Sequence, residues 1–384
     1  NGDIYEAEYE GLYSVSEERF ITEKEAESGE FRDIKQLKEK NYFFKMSKYQ
    51  DQLIDHIQSN PKFIQPEHRK NEILGFLRKP LNDLCISRPK SRLAWGIELP
   101  FDEEYVTYVW FDALINYLTA AGFNQSSGDF KKWWPASYHL IGKDILTTHA
   151  VYWPTMLFSA GVSLPLSIFA HGWWLTGESK MSKSLGNVIN PMDLIKDYGV
   201  DPVRYYLMRE MVLGHDSSFT IESFIQRYNS DLANDFGNLL SRVTTLIKKN
   251  YDGLIPEPGD LGDLDIGIKK KGEALSKTVH RYVDDMRLND AIEEIMQFIR
   301  GVNKYMEENA PWKMIKEDKD GAGRVLYTAG EALRLGAVLL SPIMPNRTKT
   351  LLYALNVKEK DFSWGTLKAG TRIKSHEPLF PRIK

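Results

Sequence analysis

The sequence predicts an α/β region followed by an all-α region. Up to about residue 215, short apolar runs lead into glycine-containing loops, and helical segments follow the loops, which is typical of strands that alternate with helices. From about residue 216, apolar residues recur with a period of about 3.6 residues, as expected for amphipathic helices that pack into a bundle.

Length and composition allow several domains and exclude some classes of protein. The chain has 384 residues, of which 42% are hydrophobic, enough for two or three domains with real cores. A net charge of −3 gives no overall attraction to nucleic acid, so an RNA contact requires a local patch. The single cysteine, Cys85, excludes an internal disulfide and is typical of a cytoplasmic protein. No long uncharged apolar run occurs, so we expect no membrane span. The chain opens in mid-pattern at Asn1, and we therefore expect a piece of a longer protein.

The first hundred residues contain two kinds of pattern. Residues 1–40 are polar and aromatic, which predicts short strands and turns. Residues 41–79 predict helices, with Tyr49, Leu53 and Ile57 on one buried face.

Residues 105–117 contain the first candidate binding side chains. Alternating β-branched and aromatic residues predict a strand up to Trp110, and Asp112 then begins a helix. Trp110 and Tyr117 are close enough in sequence to form the wall of a small apolar pocket, although ordinary core aromatics are the commoner use of such residues.

Residues 138–145 predict a second strand that ends in a glycine turn. Gly142 allows close backbone approach, and Asp144 is able to accept hydrogen bonds from a ribose. His149 follows Ile145 at a spacing of four residues, so both side chains point the same way on the next helix. A lone histidine on an apolar helix is more often a core residue than a ligand.

Residues 166–191 predict a buried strand, a cationic loop and a helix. The strand ends near His171, the loop carries Lys180 and Lys183, and Asn190 is a helix N-cap. Ammonium groups and free backbone N–H groups at the end of a sheet are suited to binding phosphates. The alternative is a solvated surface loop that happens to be basic.

In the all-α region the apolar periodicity predicts three long helices. The first is an amphipathic helix from about Ile221 to Ile247, and residues 253–267 form a linker. A second helix covers 275–302, a third runs from about Arg324 to Leu340, and Pro345 starts another. Side chains suited to RNA bases are Asn238, Arg242 and Trp312, because an indole stacks on a base while amide and guanidinium groups donate to its edge. A packed junction residue is the alternative for Trp312.

The run Lys180-Met181-Ser182-Lys183-Ser184 resembles the second signature of class I aminoacyl-tRNA synthetases, and with the motifs above the chain resembles the methionyl-tRNA synthetases. The resemblance implies the second half of a Rossmann-type catalytic domain with a connective insertion, followed by an anticodon-binding helical bundle. It divides the chain into the remainder of the insertion (1–100), the catalytic half with the lysine loop and stem-contact region (101–215), and the bundle (216–384). The family's earlier His-x-Gly-His signature does not occur in this sequence. The resemblance therefore also implies that the chain lacks the N-terminal half of the catalytic domain or pairs with it as a separate piece, and without that half this chain is expected to be inactive.

The resemblance also assigns roles to residues. Methionine binding is implied for Trp110, Ala113, Tyr117, Ile145 and His149. ATP binding is implied for Gly142, Asp144, His171, Lys180, Met181, Ser182, Lys183 and Ser184, with Lys180 and Lys183 as the catalytic pair. Anticodon recognition is implied for Asn238, Arg242 and Trp312. Leu114 stands where the family often has proline, which leaves the shape of the pocket open.

The implied ligands are ATP with Mg²⁺, L-methionine and tRNA(Met). No structural zinc or other protein-bound metal is expected, because Ser14 and Glu17 occupy positions where many members carry zinc-binding cysteines. Three other interpretations remain open at this point: another class I synthetase, a non-catalytic RNA-binding module, and a general nucleotidyltransferase, which would not need the helical bundle.

Overall fold

The computed structural model confirms an α/β region followed by an all-α region. It describes residues 1–14, 19–21, 26, 33–125, 128–177, 179–181, 186–358 and 361–383. The chain forms two compact units, unit one from Asn1 to His171 and unit two from Gly172 to Lys384. Within the part of the chain that the structure describes, no helix combines the length and the apolar character needed to cross a bilayer.

Unit one begins with an antiparallel sheet whose strands are longer than the sequence predicted. Strand β1 pairs with β3 along its whole length, from Ile4 opposite Phe44 to Ser14 opposite Ile34. The prediction that residues 41–79 begin with a helix was therefore wrong for 41–44, because β1 supplies the hydrogen-bonding partner that extends β3. The strands of this sheet, in spatial order β2-β1-β3-β5, are β1 (Ile4–Ser14), β2 (Arg19–Ile21), β3 (Ile34–Phe44) and β5 (Leu84–Cys85).

A second sheet of unit one is parallel. Its central strand, β10, pairs with β4 on one side and with β9 on the other. Ile64 and Ile168 are completely buried in this sheet, and Leu53 and Ile57 of the neighbouring helix belong to the same core, as predicted for that helix face. The strands are β4 (Ile64–Gln65), β9 (His139–Gly142) and β10 (Ile168–His171).

In the described part of unit one, the other elements are a small antiparallel sheet and a set of helices. The sheet has the spatial order β6-β8-β7 and contains β6 (Ser87–Pro89), β7 (Glu98–Leu99) and β8 (Asp102–Thr107). The helices are α1 (Gln50–Ser59), α2 (Glu67–Phe76), α3 (Val109–Ala113), α4 (Asn116–Ala121), α5 (Phe130–Trp133) and α6 (Trp153–Ala160), with short 3₁₀ turns at Met46–Tyr49 and Lys143–Ile145 and a π-helical segment at Thr148–Tyr152.

Unit two starts with a small sheet and continues as helices. Strand β11 lies between β12, its antiparallel hairpin partner, and β13, which runs parallel to it. The strands are β11 (Trp174–Thr176), β12 (Ser179–Lys180) and β13 (Ser217–Ser218). The helices are α7 (Pro191–Tyr198), α8 (Val200–Glu210), α9 (Ile221–Arg227), α10 (Asn238–Asn250), α11 (Asp263–Asp284), α12 (Leu288–Asn309), α13 (Pro311–Met314), α14 (Lys319–Leu340) and α15 (Pro345–Ala354), and a π-helical segment, Tyr228–Gly237, joins α9 to α10.

The bundle of unit two confirms the predicted helices with two corrections. The stretch expected to form one helix over 275–302 forms two, α11 and α12. The break falls at Asp285–Arg287, where Met286 has a φ of +58° that an α-helix does not tolerate. The apolar spacing hid this break, because apolar residues continue on both sides of it. The linker is also shorter than predicted, since α11 already begins at Asp263.

Helix α14 is the centre of the bundle and contains a buried ion pair. Glu331 and Arg334 are both completely inaccessible to solvent, and their carboxylate and guanidinium groups form two hydrogen bonds of 2.8 Å. The guanidinium also donates to the main-chain oxygens of Asp361 and Ser363, and the carboxylate accepts from the main-chain nitrogen of Leu367. The pair therefore fastens the segment that follows α15 to the central helix.

We predict that Glu331→Gln lowers the free energy of unfolding by about 3 kcal/mol or more, because the buried guanidinium of Arg334 loses its counter-charge. The measurement is urea unfolding followed by circular dichroism. The matched control is Glu308→Gln, which removes the partner of the exposed Lys304 and should change the unfolding free energy by less than about 0.5 kcal/mol. Equal losses in the two variants would contradict the structural role of the buried pair.

Candidate functional site

The first part of the candidate site lies where two parallel strands end. Gly142, the last residue of β9, is paired with His171, the last residue of β10, so these two residues are neighbours at one edge of the sheet. A Cβ atom on residue 142 would lie 2.6 Å from Oδ1 of Asp144 and 3.9 Å from Cε1 of His171. A side chain at this position would have to displace the carboxylate of Asp144. The structure thus brings together Gly142, Asp144 and His171, the three residues of unit one for which the resemblance implied ATP binding.

Trp110 reaches the site from a helix and not from a strand. Strand β8 ends at Thr107, and the main-chain nitrogens of Phe111 and Asp112 both donate to the carbonyl oxygen of Tyr108. The helix therefore begins at Val109, three residues before the predicted start at Asp112. Alternation of aromatic and β-branched side chains continued past the end of the strand, which is why the sequence pattern placed the boundary too late.

Three predicted side chains converge in unit one. The ring of His149 lies 6.2 Å from that of Trp110 and 5.7 Å from that of Tyr117, both edge to face. Nδ1 of His149 lies 3.0 Å from the carbonyl oxygen of Ile145, which only accepts, so Nδ1 carries the proton. Nε2 is then the acceptor, and the hydroxyl of Tyr117 donates to it over 2.8 Å.

The two other predicted members of this group have different positions. Ile145 is half-buried, and its main chain orients the imidazole of His149 through the hydrogen bond just described. Ala113 is exposed and follows Trp110 by three residues on α3. The structure thus gathers Trp110, Tyr117, Ile145 and His149, and leaves Ala113 at the surface beside them.

Two residues that the sequence analysis did not select complete the group. The indole N–H of Trp153 donates to Nε2 of His139 over 3.2 Å, and the ring of Tyr117 lies 4.2 Å from that of His139. Trp153 follows His149 by four residues, so the helical spacing that linked Ile145 to His149 also pointed to it. His139 begins a strand, where no sequence signal separates it from an ordinary core residue. We call Trp110, Tyr117, His139, His149 and Trp153 the aromatic cluster.

The aromatic cluster is uncharged at neutral pH. Burial, together with the nearby imidazole of His149, lowers the pKa of His139 to about 4, and burial also lowers the pKa of His149. Burial raises the pKa of Tyr117, so its hydroxyl remains protonated. Tyr117 and His139 also line a cavity of about 240 Å³. Neutral rings of this kind are suited to an apolar, polarizable ligand rather than to an ion.

We predict that unit one loses stability as the pH falls from about 6.5 to about 4. The unfolded chain takes up a proton on His139 near the ordinary pKa of 6.5, whereas the folded ring does so only near 4, so stability is complete above 6.5 and lost below it. The share of His139 is about 2 to 3 kcal/mol. Urea unfolding at several pH values measures it. His139→Gln should reduce the loss, and His280→Gln, on the exposed face of α11, should leave it unchanged; the same pH dependence in both variants would contradict the assignment.

The predicted lysine loop lies in unit two and contains a hairpin. Lys180 pairs with Leu175 across β11 and β12, and its exposed ammonium group lies 3.9 Å from the ring centroid of Trp173. The predicted helix follows, beginning at Pro191, with the side chain of Asn190 accepting from the main-chain nitrogen of Met192 over 3.0 Å. Met181 packs against the core of unit two. Ser182, Lys183 and Ser184 lie outside the described residues.

The predicted RNA-reading side chains lie close together in the bundle. The guanidinium of Arg242 lies 4.9 Å from the ring centroid of Trp312 and forms an ion pair of 2.8 Å with Glu307. Asn238, one turn earlier on α10, is exposed. Trp312 is half-buried on the short helix α13 directly after Pro311. The group presents a cation, an amide and an indole at one place, which is the chemistry that binds an unstacked base.

No metal site is present in the described part of the chain, where no three His, Cys, Asp or Glu side chains come close enough to hold an ion. Ser14 is buried, and Glu17 lies outside the described residues. The predicted absence of structural zinc stays a prediction, which zinc analysis of the purified protein tests.

Comparison with known proteins identifies the family. The family model of class I tRNA synthetases (M) matches residues 26–244, and the model of the anticodon-binding domain of methionyl tRNA ligase matches residues 255–384. The methionine–tRNA ligases of Caldanaerobacter subterraneus and Bacillus subtilis are 44% and 40% identical to the chain, which they cover completely, while the chain covers 61% of each relative. The chain therefore spans about three fifths of the length of these curated relatives.

The solved structures agree with the sequence relatives. A structure of Mycobacterium tuberculosis methionyl-tRNA synthetase in complex with methionyl-adenylate is 40% identical and superposes with a TM-score of 0.93, covering 99% of this chain and 78% of its own. The fold is accordingly that of a class I synthetase catalytic domain followed by a helical anticodon-binding domain. These matches show that the chain belongs to the methionyl-tRNA synthetase family of class I tRNA synthetases.

Proposed function

We propose that the complete protein activates L-methionine with ATP and transfers it to tRNA(Met). The observation that carries the proposal is the aromatic cluster, two of whose members, His149 and Trp153, follow the strand end marked by Gly142 and Asp144 in the chain. An uncharged aromatic pocket suits a thioether side chain, which lacks strong hydrogen-bonding groups. The relative from Mycobacterium tuberculosis was solved with methionyl-adenylate, the product expected of this first step.

The proposed reaction has two steps. In the first, a carboxylate oxygen of methionine attacks the α-phosphorus of ATP, and the bond to the β-phosphate oxygen breaks to release pyrophosphate. In the second, a terminal ribose hydroxyl of the tRNA attacks the acyl carbon and AMP leaves. No covalent bond to the protein forms, so the protein contributes positioning and stabilisation of charge.

We propose that Trp110, Tyr117, Ile145 and His149 enclose the methionine side chain, with Ala113 at its rim. The hydrogen bond from Tyr117 to His149 supports this assignment, because it fixes both rings without leaving a charge in the pocket. His139 and Trp153 are positioning residues in this scheme, because their rings pack against that of Tyr117.

ATP is proposed to bind at the strand ends and on the lysine loop. Asp144 would accept from the ribose, Gly142 would allow the nucleotide to approach the backbone, and His171 lies beside both. The loop residues proposed to contact the triphosphate are Lys180, Met181, Ser182, Lys183 and Ser184. The two lysines would stabilise its negative charge in the transition state. Mg²⁺ would arrive as part of the nucleotide substrate, since this ion usually binds through phosphates and few protein groups.

Asn238, Arg242 and Trp312 are proposed to read the anticodon. The exposed amide and the guanidinium would donate to base edges while the indole stacks on a base. With these assignments the chain divides into residues 1–100 as the remainder of the connective insertion, 101–215 as half of the catalytic domain, and 216–384 as the anticodon-binding bundle.

The proposed partner of unit one is the N-terminal half of the same enzyme. Strand β9 is at the edge of the described parallel sheet, and Leu140 on it is 56% exposed. Parallel sheets are normally covered on both faces, so an exposed leucine at this position is suited to a further layer of protein. An apolar cavity of about 690 Å³, lined by Phe101, Phe111 and Ile115 among others, opens on the same unit.

Replacement of Lys180 by alanine tests the proposed activation step. In the complete enzyme we expect Lys180→Ala to slow methionyl-adenylate formation by about 10²-fold or more, because a charge aimed at the triphosphate is lost. Methionine affinity should change little. The measurement is methionine-dependent pyrophosphate exchange, with isoleucine as the comparison amino acid, and methionine binding by equilibrium dialysis. Lys196→Ala, on the exposed side of α7, is the matched control. A parallel loss of affinity and rate would argue against the role of Lys180.

Replacement of Trp312 by alanine tests the proposed RNA contact. We expect Trp312→Ala to lower kcat/KM for tRNA(Met) by about 5- to 150-fold, the equivalent of roughly 1 to 3 kcal/mol for one stacked base. Pyrophosphate exchange should stay intact. The control is Trp95→Ala, because Trp95 is 84% exposed in unit one and takes no part in the proposal. If exchange falls together with aminoacylation, Trp312 serves folding instead.

A further inference from the structure

Unit two contains a polar cavity that the proposed function does not use. It has a volume of about 570 Å³ and lies between helix α10 and the chain segment 372–378. The residues that matter below are its basic side chains, Lys248, Arg372 and Lys374, and a row of hydroxyl groups from α10. Asp252 is the one carboxylate among its lining residues.

In the described part of the chain, no carboxylate is paired with any of the three basic side chains of the cavity. Arg372 donates to the main-chain oxygen of Asp252 over 2.5 Å, and this hydrogen bond holds the guanidinium in place. The guanidinium has further N–H groups that can donate to a ligand. The ammonium of Lys374 lies 4.3 Å from the ring centroid of Tyr353. Lys248 is exposed in the last turn of α10. The cavity therefore has a local excess of positive charge in a chain whose net charge is −3.

Hydroxyl and imidazole groups add hydrogen-bonding capacity beside these charges. Ser241, Thr244 and Thr245 all line the cavity from α10. Thr244 is buried, and its hydroxyl lies 3.1 Å from Nε2 of His376, whose Nδ1 donates to the main-chain oxygen of Glu377 over 2.9 Å. Lysine, arginine and hydroxyl side chains together are the groups that contact phosphate oxygens of nucleic acid backbones.

The position of the cavity on α10 connects it with the proposed anticodon reader. Thr245 follows Arg242 by three residues, so the two lie on neighbouring turns of one helix face. Lys248 lies ten residues beyond Asn238, a distance of about 15 Å at 1.5 Å per residue. Several successive phosphates of one RNA strand span such a distance. A stem whose loop reaches Asn238 and Arg242 would therefore carry backbone phosphates past the cavity.

We propose that the cavity lined by Lys248, Arg372, Lys374 and the hydroxyls of α10 is a phosphate-binding site for the RNA backbone next to the anticodon. The inference rests on the proposed function, because it takes its RNA from the contact at Asn238, Arg242 and Trp312. Its contribution is independent of base sequence: phosphate contacts fix the position of the stem, and the bases beyond it are read by other residues.

The test measures binding of the full chain to two RNAs over a range of salt concentrations. One RNA is tRNA(Met) and the other is the same RNA with its anticodon replaced. Lys248→Gln/Lys374→Gln should weaken the binding of both RNAs equally, on the order of tenfold near 100 mM salt. It should also reduce the slope of log K against log salt by about 1.5 to 2, as expected for two lost phosphate contacts. The matched control is Lys271→Gln/Lys277→Gln, two exposed lysines on α11 that should leave the slope unchanged.

The outcomes separate this inference from the proposed function. If the slope does not differ between the two double variants, both shown to be folded by circular dichroism, the cavity binds no backbone phosphate and the inference is wrong. An effect on tRNA(Met) alone would also overturn it, because a backbone contact does not distinguish anticodons. If instead the unaltered chain binds both RNAs equally and Trp312→Ala changes nothing, anticodon reading fails, and the change of slope still reports on the cavity by itself.

Discussion

The pairing of β9 with β10 is the constraint on which the candidate site of unit one depends. These strands run parallel, so Gly142 and His171 end at the same edge, and the chain leaves β9 directly into the turn that carries Asp144 and Ile145. The π-helical segment that follows brings His149 back toward Tyr117. One pair of parallel strands thus orders a polar group suited to a nucleotide and an apolar group suited to a thioether, at opposite ends of one short connection.

The proton positions in the aromatic cluster follow from its hydrogen bonds, and they explain its lack of charge. His149 has one nitrogen committed to the carbonyl of Ile145 and the other to the hydroxyl of Tyr117. His139 accepts from the indole of Trp153, which fixes its tautomer as well. In each imidazole the unprotonated nitrogen accepts a hydrogen bond, so protonation would have to disrupt that bond as well as bring a charge into a buried place. The aromatic cluster therefore stays uncharged while its hydrogen bonds remain formed.

The sequence predicted those elements whose signals are local. The cap formed by Asn190 and the start of α7 at Pro191 depend on neighbouring residues only, and both are confirmed. The strand content of residues 41–44 depends on β1, which is distant in sequence, so a local pattern could not predict it. The start of α3 at Val109 was missed for another reason, because the alternation of aromatic and β-branched residues continues past the end of β8.

The same distinction applies to the members of the candidate site. Trp110, Tyr117 and His149 were assigned to one pocket by the family resemblance, and the structure gathers them. His139 was missed because its role comes from what packs on it: a tyrosine ring from α4 and an indole from α6. The break at Met286 was missed for a related reason, since a single residue with positive φ leaves the apolar pattern unchanged on both sides.

The bundle combines a rigid centre with a weakly held surface, and this combination suits RNA binding. Helix α14 is almost entirely buried. Glu331 and Arg334 on this helix bind the segment that follows α15, and loss of either side chain would leave the other as a buried charge with no counter-charge. Arg242, in contrast, is held by Glu307, whose side chain is 62% exposed, and exposed pairs of this kind contribute only about 0 to 1 kcal/mol. A base or phosphate that binds the guanidinium of Arg242 therefore replaces a weak ion pair, at a small cost in free energy.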